Sequence, residues 1–176
     1  MSYTAPRFLR CTNAVAEDIH RFSPADDLMP EAADRWVRCI DVNAPTQHVY
    51  RWLCQLTVAP YSYDWIDNRG RRSPRTLTAG ADRLTLGQPF LIFSITSFQP
   101  GRHITGRSRP EFHRVYGDIA VSYQVIPRPE GTTRLQANAC LARSTSPIIR
   151  FALAVGDKVM AGKQLAKLKV LAEQGR

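Results

Sequence analysis

No stretch of this sequence approaches the roughly 18 consecutive apolar residues of a membrane-crossing helix, so no membrane insertion is expected. The opening residues, Met1 to Asp18, lack the apolar centre of a secretory signal, which points to a cytoplasmic location. Cysteine is sparse: Cys11, Cys39, Cys54 and Cys140 include no C-x-x-C pair, and in a reducing compartment they read as small hydrophobes. The four histidines, His20, His48, His103 and His113, are too far apart for a metal site to be argued from spacing, so no metal and no cofactor is expected. G-x-S-x-G, H-E-x-x-H, a phosphate-binding glycine loop and a dinucleotide fingerprint are all absent, so no strong catalytic signature is present.

Lysine is scarce as well. Four lysines stand against 20 arginines, and all four lie near the C-terminal end. The net charge of +9 is unevenly spread. Residues 1–34 carry three arginines and six acids, whereas the remainder is strongly basic. Arg69, Arg71, Arg72 and Arg75 form one group, and Arg102, Arg107, Arg109 and Arg114 a second. Such groups can hold an anion or a phosphate backbone. Aromatic residues are not interleaved with them as a stacking platform requires, which argues against a nucleic-acid partner. The other reading is a solvated surface, partly neutralised by the acidic leader folding over it.

What is present is enough for one globular domain: 176 residues, 44% of them hydrophobic. Residues 1–34 show no sustained period and are punctuated by Pro6, Pro24 and Pro30; they read as a leader packed on the surface, with a short helix near Val15–His20. Residues 35–176 read as the domain proper. Arg35–Val42 is rich in strand formers, and Thr46–Leu56 carries His48, Val49, Trp52, Leu53 and Leu56 at helical spacing, with Asn43 or Thr46 as its cap. The segment from Thr57 to Gly87 is long and irregular, and its aromatic content argues against disorder.

From Pro89 the period changes to two. Pro89–Phe98 is apolar almost throughout, and Arg102–Arg107 forms a more polar strand. Val115–Ile126 alternates, with Val115, Ile119, Val121, Tyr123 and Val125 on one face. Thr132–Ala142 alternates too, placing Leu135, Ala137, Ala139 and Leu141 inward and Arg134, Gln136 and Asn138 outward. Strands joined by turns predict an antiparallel sheet with one wet face. The last stretch, Pro147 to Glu173, predicts a helix of about 25 residues whose apolar stripe holds Ile148, Phe151, Ala152, Val155, Val159, Gly162, Leu165 and Ala166. Gln164 and Asp157 fall on the opposite side. Sheet and helix must cover each other, and the small residues on both leave room for an internal cavity.

This order, together with APTQHVYRWLCQL, YSYDWIDNRGRRSP, FQPGRHITG and GDKVMAGKQLAKLK, resembles the SRPBCC superfamily, the START-like or helix-grip group that includes polyketide cyclases and lipid-transfer domains. The resemblance runs from about residue 23 to 174. Its most specific part is Tyr61 to Trp65 with Asn68, Gly70, Ser73 and Pro74, which is similar to a bacterial polyketide cyclase/dehydrase-like subgroup. Ala161-Gly162 departs from the bulkier or basic residues expected there. The resemblance implies an α+β helix-grip fold: about seven curved antiparallel strands around the C-terminal helix, short helices between the first and second strands, and a hydrophobic pocket. It implies no single activity, because one fold hosts many functions.

Candidate ligand-binding residues are Trp52 and Gln55 on the first helix, Tyr61, Tyr63 and Trp65 in the aromatic loop, Phe90, Ile92 and Tyr123 on the strands, and Val155 and Val159 on the last helix. The tyrosines and tryptophans combine apolar bodies with polar tips, which suits a pocket mouth. Equally, the loop aromatics can cap the core while Asp64 and Asp67 make turn hydrogen bonds. Tyr123 is sharper, because a buried phenol needs a partner. The expected function is binding of a small hydrophobic or aromatic molecule, lipid- or polyketide-like. The alternative is a cyclase or dehydratase, with Asp64, His103 and Tyr123 as candidate catalytic groups and Arg102 or Tyr63 polarising a carbonyl. Interaction of an anion with the arginine-rich surface ranks below both, and a homodimer is left open.

Overall fold

The computed structural model describes residues 5–63, 70–143 and 147–174. The leader contributes Arg7–Arg10 (α1), Cys11–Thr12 (β1), Ala16–His20 (α2) and Pro24–Leu28 (α3). Asp34–Val42 (β2) follows, then Thr46–Cys54 (α4), which tightens into a 3-10 turn at Gln55–Thr57. The remaining elements are Pro89–Phe90 (β3), Phe93–Gln99 (β4), His103–Ser108 (β5), Pro110–Tyr116 (α5), Ile119–Pro127 (β6), Thr133–Leu141 (β7) and the long helix Pro147–Gln174 (α6).

The strands form one curved sheet of seven in the order β1-β2-β7-β6-β5-β4-β3. Every pairing is antiparallel except that of the short β1 with β2, which is parallel. The sheet's inner face packs against α6 and α4, giving an α+β helix-grip architecture. Alternation produces that face: Ile119, Val121, Tyr123 and Val125 of β6 stand opposite Leu141, Ala139, Ala137 and Leu135 of β7. All eight sit on the inner side, as the period of two predicts.

Three expectations change. The outer face is not wet, because the leader covers it. Gln136 and Asn138 are fully buried there, and Arg134 bonds the fully buried Asp18 of α2 at 2.6 Å. Arg35 clamps the leader a second time through Asp26 at 2.7 Å and the carbonyls of Ile19 and Arg21.

Val115 belongs to a helix rather than a strand. Pro110 occupies its first turn, where a missing N–H costs nothing, and Gly117 closes it at φ 76°, so β6 begins only at Ile119.

The third change is the phase of α6. Its buried stripe is Ala154, Ala161, Leu165, Leu168 and Leu171, whereas Ile148, Phe151, Val155 and Val159 are exposed. Two polar anchors set this rotation: Asp157 pairs with the buried Arg38 of β2 at 2.9 Å, and Gln164 meets Tyr123. A smaller departure concerns α4, whose N-cap position is Pro45 with no side-chain cap.

Candidate functional site: a cavity between the sheet and the last helix

Ala139 on the sheet, with Ala152, Gly156 and Ala161 on α6, leaves space that larger side chains would fill. The result is a partly enclosed cavity of about 720 Å³. Its floor is the inner face at Trp36, Val121 and Tyr123, and its roof is Leu153, Asp157, Met160 and Gln164 of α6. The β3–β4 turn closes one side with Phe90, Ile92 and Phe93, and α5 adds Phe112 and Tyr116. Segment 56–60, running out of α4, supplies the remaining wall.

The aromatic side is tightly knit. The Phe90 ring lies 5.6 Å from Phe93 and meets Tyr123 edge-on at 6.4 Å. This packing depends on Gly106 of β5: a Cβ there would fall 2.5 Å from the Phe90 ring and 2.5 Å from the Ser94 carbonyl oxygen. Leu91, in the cavity wall, has φ 52°, and Tyr61, between the lining residues Pro60 and Ser62, has φ 55°. Neither side chain favours that left-handed conformation. Both departures therefore fall at the edge of the hollow.

Polar groups are few and converge on one region. The Tyr123 hydroxyl donates to Gln164 Oε1 at 2.7 Å, and Gln164 Nε2 donates to the Pro60 carbonyl at 2.7 Å. Burial pushes the Tyr123 phenol well above its ordinary range, and the charge of Asp157 adds to the shift, so the phenol stays protonated. Asp157 is also raised, because burial outweighs the opposing charge and hydrogen bond of Arg38. Its side chain is 29% exposed and lines the cavity.

Phe90, Ile92 and Tyr123 of the sequence-predicted set line the cavity. Trp52, Gln55 and Tyr61 are buried behind it, around α4. Trp52 packs edge-on to Tyr61 at 6.3 Å and donates to His48, while Gln55 Oε1 accepts from the Thr78 N–H at 3.2 Å. Those three side chains join the first helix to the following segment. Tyr63 is half-buried and outside the lining, and Asp64 and Trp65 lie outside the described residues.

His103 requires a correction: it neighbours Ile104, which faces inward opposite Tyr123, so its own side chain is on the outer face of the sheet. Burial holds its imidazole below the ordinary value. Val155 and Val159 also stand corrected, being 40% and 50% exposed on the side of α6 turned away from the sheet. Arg102 is exposed in the β4–β5 turn.

Sequence reasoning missed Trp36, Asp157 and Gln164. A signal for the last two existed: Ala154, Ala161, Leu165, Leu168 and Ala172 also keep helical spacing, and that stripe carries Asp157 and Gln164 inward with it. Among the described residues no cluster of histidine, cysteine, aspartate and glutamate could hold a metal ion. No described helix is long and apolar enough to cross a membrane.

No protein-family model matches the chain, and no curated protein matches it. Solved structures do. The di-domain ARO/CYC BexL from the BE-7585A biosynthetic pathway is 17% identical with a TM-score of 0.51, covering 79% of this chain and 46% of BexL. The helix-grip fold is shared with that protein. Protein NE0264 from Nitrosomonas europaea (13% identical, TM-score 0.51) covers 81% of this chain and 96% of its own. Protein MLL2253 from Mesorhizobium loti (13%, 0.51) covers 80% and 98%. At these identities the likeness is one of fold.

Proposed function

We propose that this chain is a cytoplasmic SRPBCC-type protein that holds a small hydrophobic or aromatic molecule between its sheet and its last helix, with residues 35–176 as the binding unit and the leader as its cover. The observation that carries the reading is the cavity of about 720 Å³, a volume suited to a small organic ligand and walled mainly by apolar and aromatic side chains. The thiols fit a reducing compartment: Cys39, Cys54 and Cys140 are buried and unpaired, and burial pushes each up to about 12, far from reactivity at neutral pH. A homodimer would have the exposed stripe of Ile148, Phe151, Val155 and Val159 available as its surface.

Native mass spectrometry of the protein as purified, followed by titration with N-phenyl-1-naphthylamine, tests the reading. Binding is expected in the wild type and is expected to fall at least about tenfold in Ala139→Phe, whose ring would occupy the hollow. Undiminished binding in that variant, with its fold intact by circular dichroism, places the ligand elsewhere.

A second reading has two observations in its favour. Two ionisable groups, Asp157 and Tyr123, face the same cavity, and the fold is shared with a protein named ARO/CYC. In a cyclase or dehydratase the apolar walls would fold a reactive chain and Asp157 would move the proton. The phenol would stay protonated throughout. Under this reading a bound chain is recovered from the same mass spectrometry with loss of water; under the first it is recovered unchanged.

A further inference from the structure

The polar end of the cavity has a definite hydrogen-bonding character, and it restricts what can bind there. Arg38 is 2% exposed and fully engaged at its terminal nitrogens. One donates to the carbonyls of Arg10 at 2.7 Å and Val37 at 3.4 Å; the other donates to the Leu9 carbonyl at 2.7 Å and reaches Asp157 Oδ2 at 2.9 Å. Its charge is thus already met by Asp157 rather than free for an anionic head group. The Tyr123 hydroxyl already donates its hydrogen bond to Gln164. Besides the Arg38 Nε, buried and unpartnered among the described residues, what the walls still offer is an acceptor and a donor. Asp157 Oδ1 has no hydrogen-bond partner among the described residues and belongs to a side chain in the cavity wall. The Trp36 indole N–H, in a residue 2% exposed, is buried and unpartnered among them.

These groups occupy one patch. Trp36 and Arg38 are alternate residues of β2, paired with Ala139 and Ala137 of β7, which in turn pair with Val121 and Tyr123 of β6. The two alanines form a notch between larger neighbours, with Asp157 bordering it from α6. A second void of about 10 Å³ lies in that notch, bounded by Trp36, Arg38, Tyr123, Ala137 and Asp157. It is large enough for a single water-sized group. A carboxylate or phosphate is too large for it and would meet the Asp157 charge. A hydroxyl fits, because it donates and accepts at once.

Resting on the ligand-binding reading above, we propose that the cavity takes a neutral, ring-containing molecule carrying a hydroxyl at its inner end, the hydroxyl donating to Asp157 and accepting from the Trp36 indole N–H. The aromatic wall of Phe90, Phe93 and Tyr123 holds the ring body. The ligand class is thereby an aromatic or alicyclic alcohol or phenol rather than a fatty acid.

Three fluorescent probes of one ring system test this: 1-hydroxypyrene, 1-methoxypyrene and pyrene-1-carboxylate, titrated into the full-length protein and followed by anisotropy. The wild type is expected to bind the hydroxyl probe about tenfold more tightly than the methyl ether, as a hydrogen bond to a charged group allows, and the carboxylate most weakly. In Trp36→Phe and in Asp157→Asn the ratio of hydroxyl to methyl ether affinity is expected to shrink several-fold, whatever the change in overall affinity. Circular dichroism confirms the fold of each variant, and Trp36→Phe keeps the ring packing even if Asp157→Asn weakens the Arg38 contact.

Equal binding of hydroxyl and ether probes, or an unchanged preference in a folded variant, overturns the assignment and leaves cavity binding standing. Tightest binding by the carboxylate overturns it in favour of an anionic lipid. Failure of all three probes to bind removes the cavity-binding reading together with this one.

Discussion

Gly106 is the residue on which the aromatic wall depends, and it left no mark in the hydrophobic pattern. A missing side chain has no period. Its backbone lies under the Phe90 ring and beside the Ser94 carbonyl, and the second contact cannot be relieved by rotating a side chain. Gly106→Ala is therefore expected to destabilise the protein by about 1–3 kcal/mol, the usual cost of overpacking. A lower urea midpoint at unchanged slope checks it. An unchanged midpoint would show that β4 and β5 separate easily. Tyr123 was legible for the opposite reason: it falls on the inward phase of an alternating strand, whereas Phe90 stood in a run apolar on both faces and was named without a phase. Trp52, Gln55 and Tyr61 were legible as interior residues, but their partners proved to be one another and nearby segments. Sequence distance alone could not distinguish a pocket wall from the packing behind it.

The last helix shows what a pattern settles for a whole element and what it leaves open. Its existence and length could be read directly, because apolar residues recur at helical spacing over some seven turns. Its rotation could not. Two apolar stripes compete on its surface, and the one carrying Val155 and Val159 is the more hydrophobic. The sheet selects the other, because that stripe brings Asp157 to Arg38 and Gln164 to Tyr123. Burying Arg38 or Tyr123 unpartnered would cost more than exposing a few valines.

A double-mutant cycle measures the second anchor. Gln164→Leu strands the Tyr123 hydroxyl and the Pro60 carbonyl, and is expected to cost about 1–3 kcal/mol. Tyr123→Phe leaves only the Gln164 oxygen without its donor. The double variant is expected to be more stable than the sum of the single effects allows, by roughly 1 kcal/mol. Strict additivity would mean that this hydrogen bond does not hold the helix in register.

At the scale of the whole molecule, the sequence showed an acidic leader ahead of a basic remainder, and that contrast becomes the contact between them. The pairing of Asp18 with Arg134 was not legible, since the two residues are 116 positions apart, and even the nearer Asp26 and Arg35 carry no pattern that pairs them. These pairs fix how the fold responds to acid. Burial alone would raise the Asp18 carboxyl, but hydrogen bonds from Arg134 and the Val15 N–H, with the Arg134 charge, outweigh it and hold the group below 3.8. Asp26 is lowered in the same way, burial being outweighed by Arg35 and the Ser23 N–H.

A carboxylate lowered by folding stabilises the protein above its unfolded value and loses that contribution as pH falls through the folded one. Asp157 is raised and has the reverse sign: its ionisation opposes folding, so its effect becomes less favourable as pH rises through its folded value. Asp18→Asn isolates the leader from that opposing effect. The variant cannot ionise at position 18, so near pH 6 it is expected to melt below the wild type, Arg134 having lost a buried partner. As pH falls below the ordinary carboxylate range the wild-type carboxyl takes up its proton, and the two melting temperatures are expected to converge. A gap that stays constant over this range would mean that Asp18 contributes as a neutral hydrogen-bonding group, and that the charge contrast between leader and remainder does not hold the cover on the sheet.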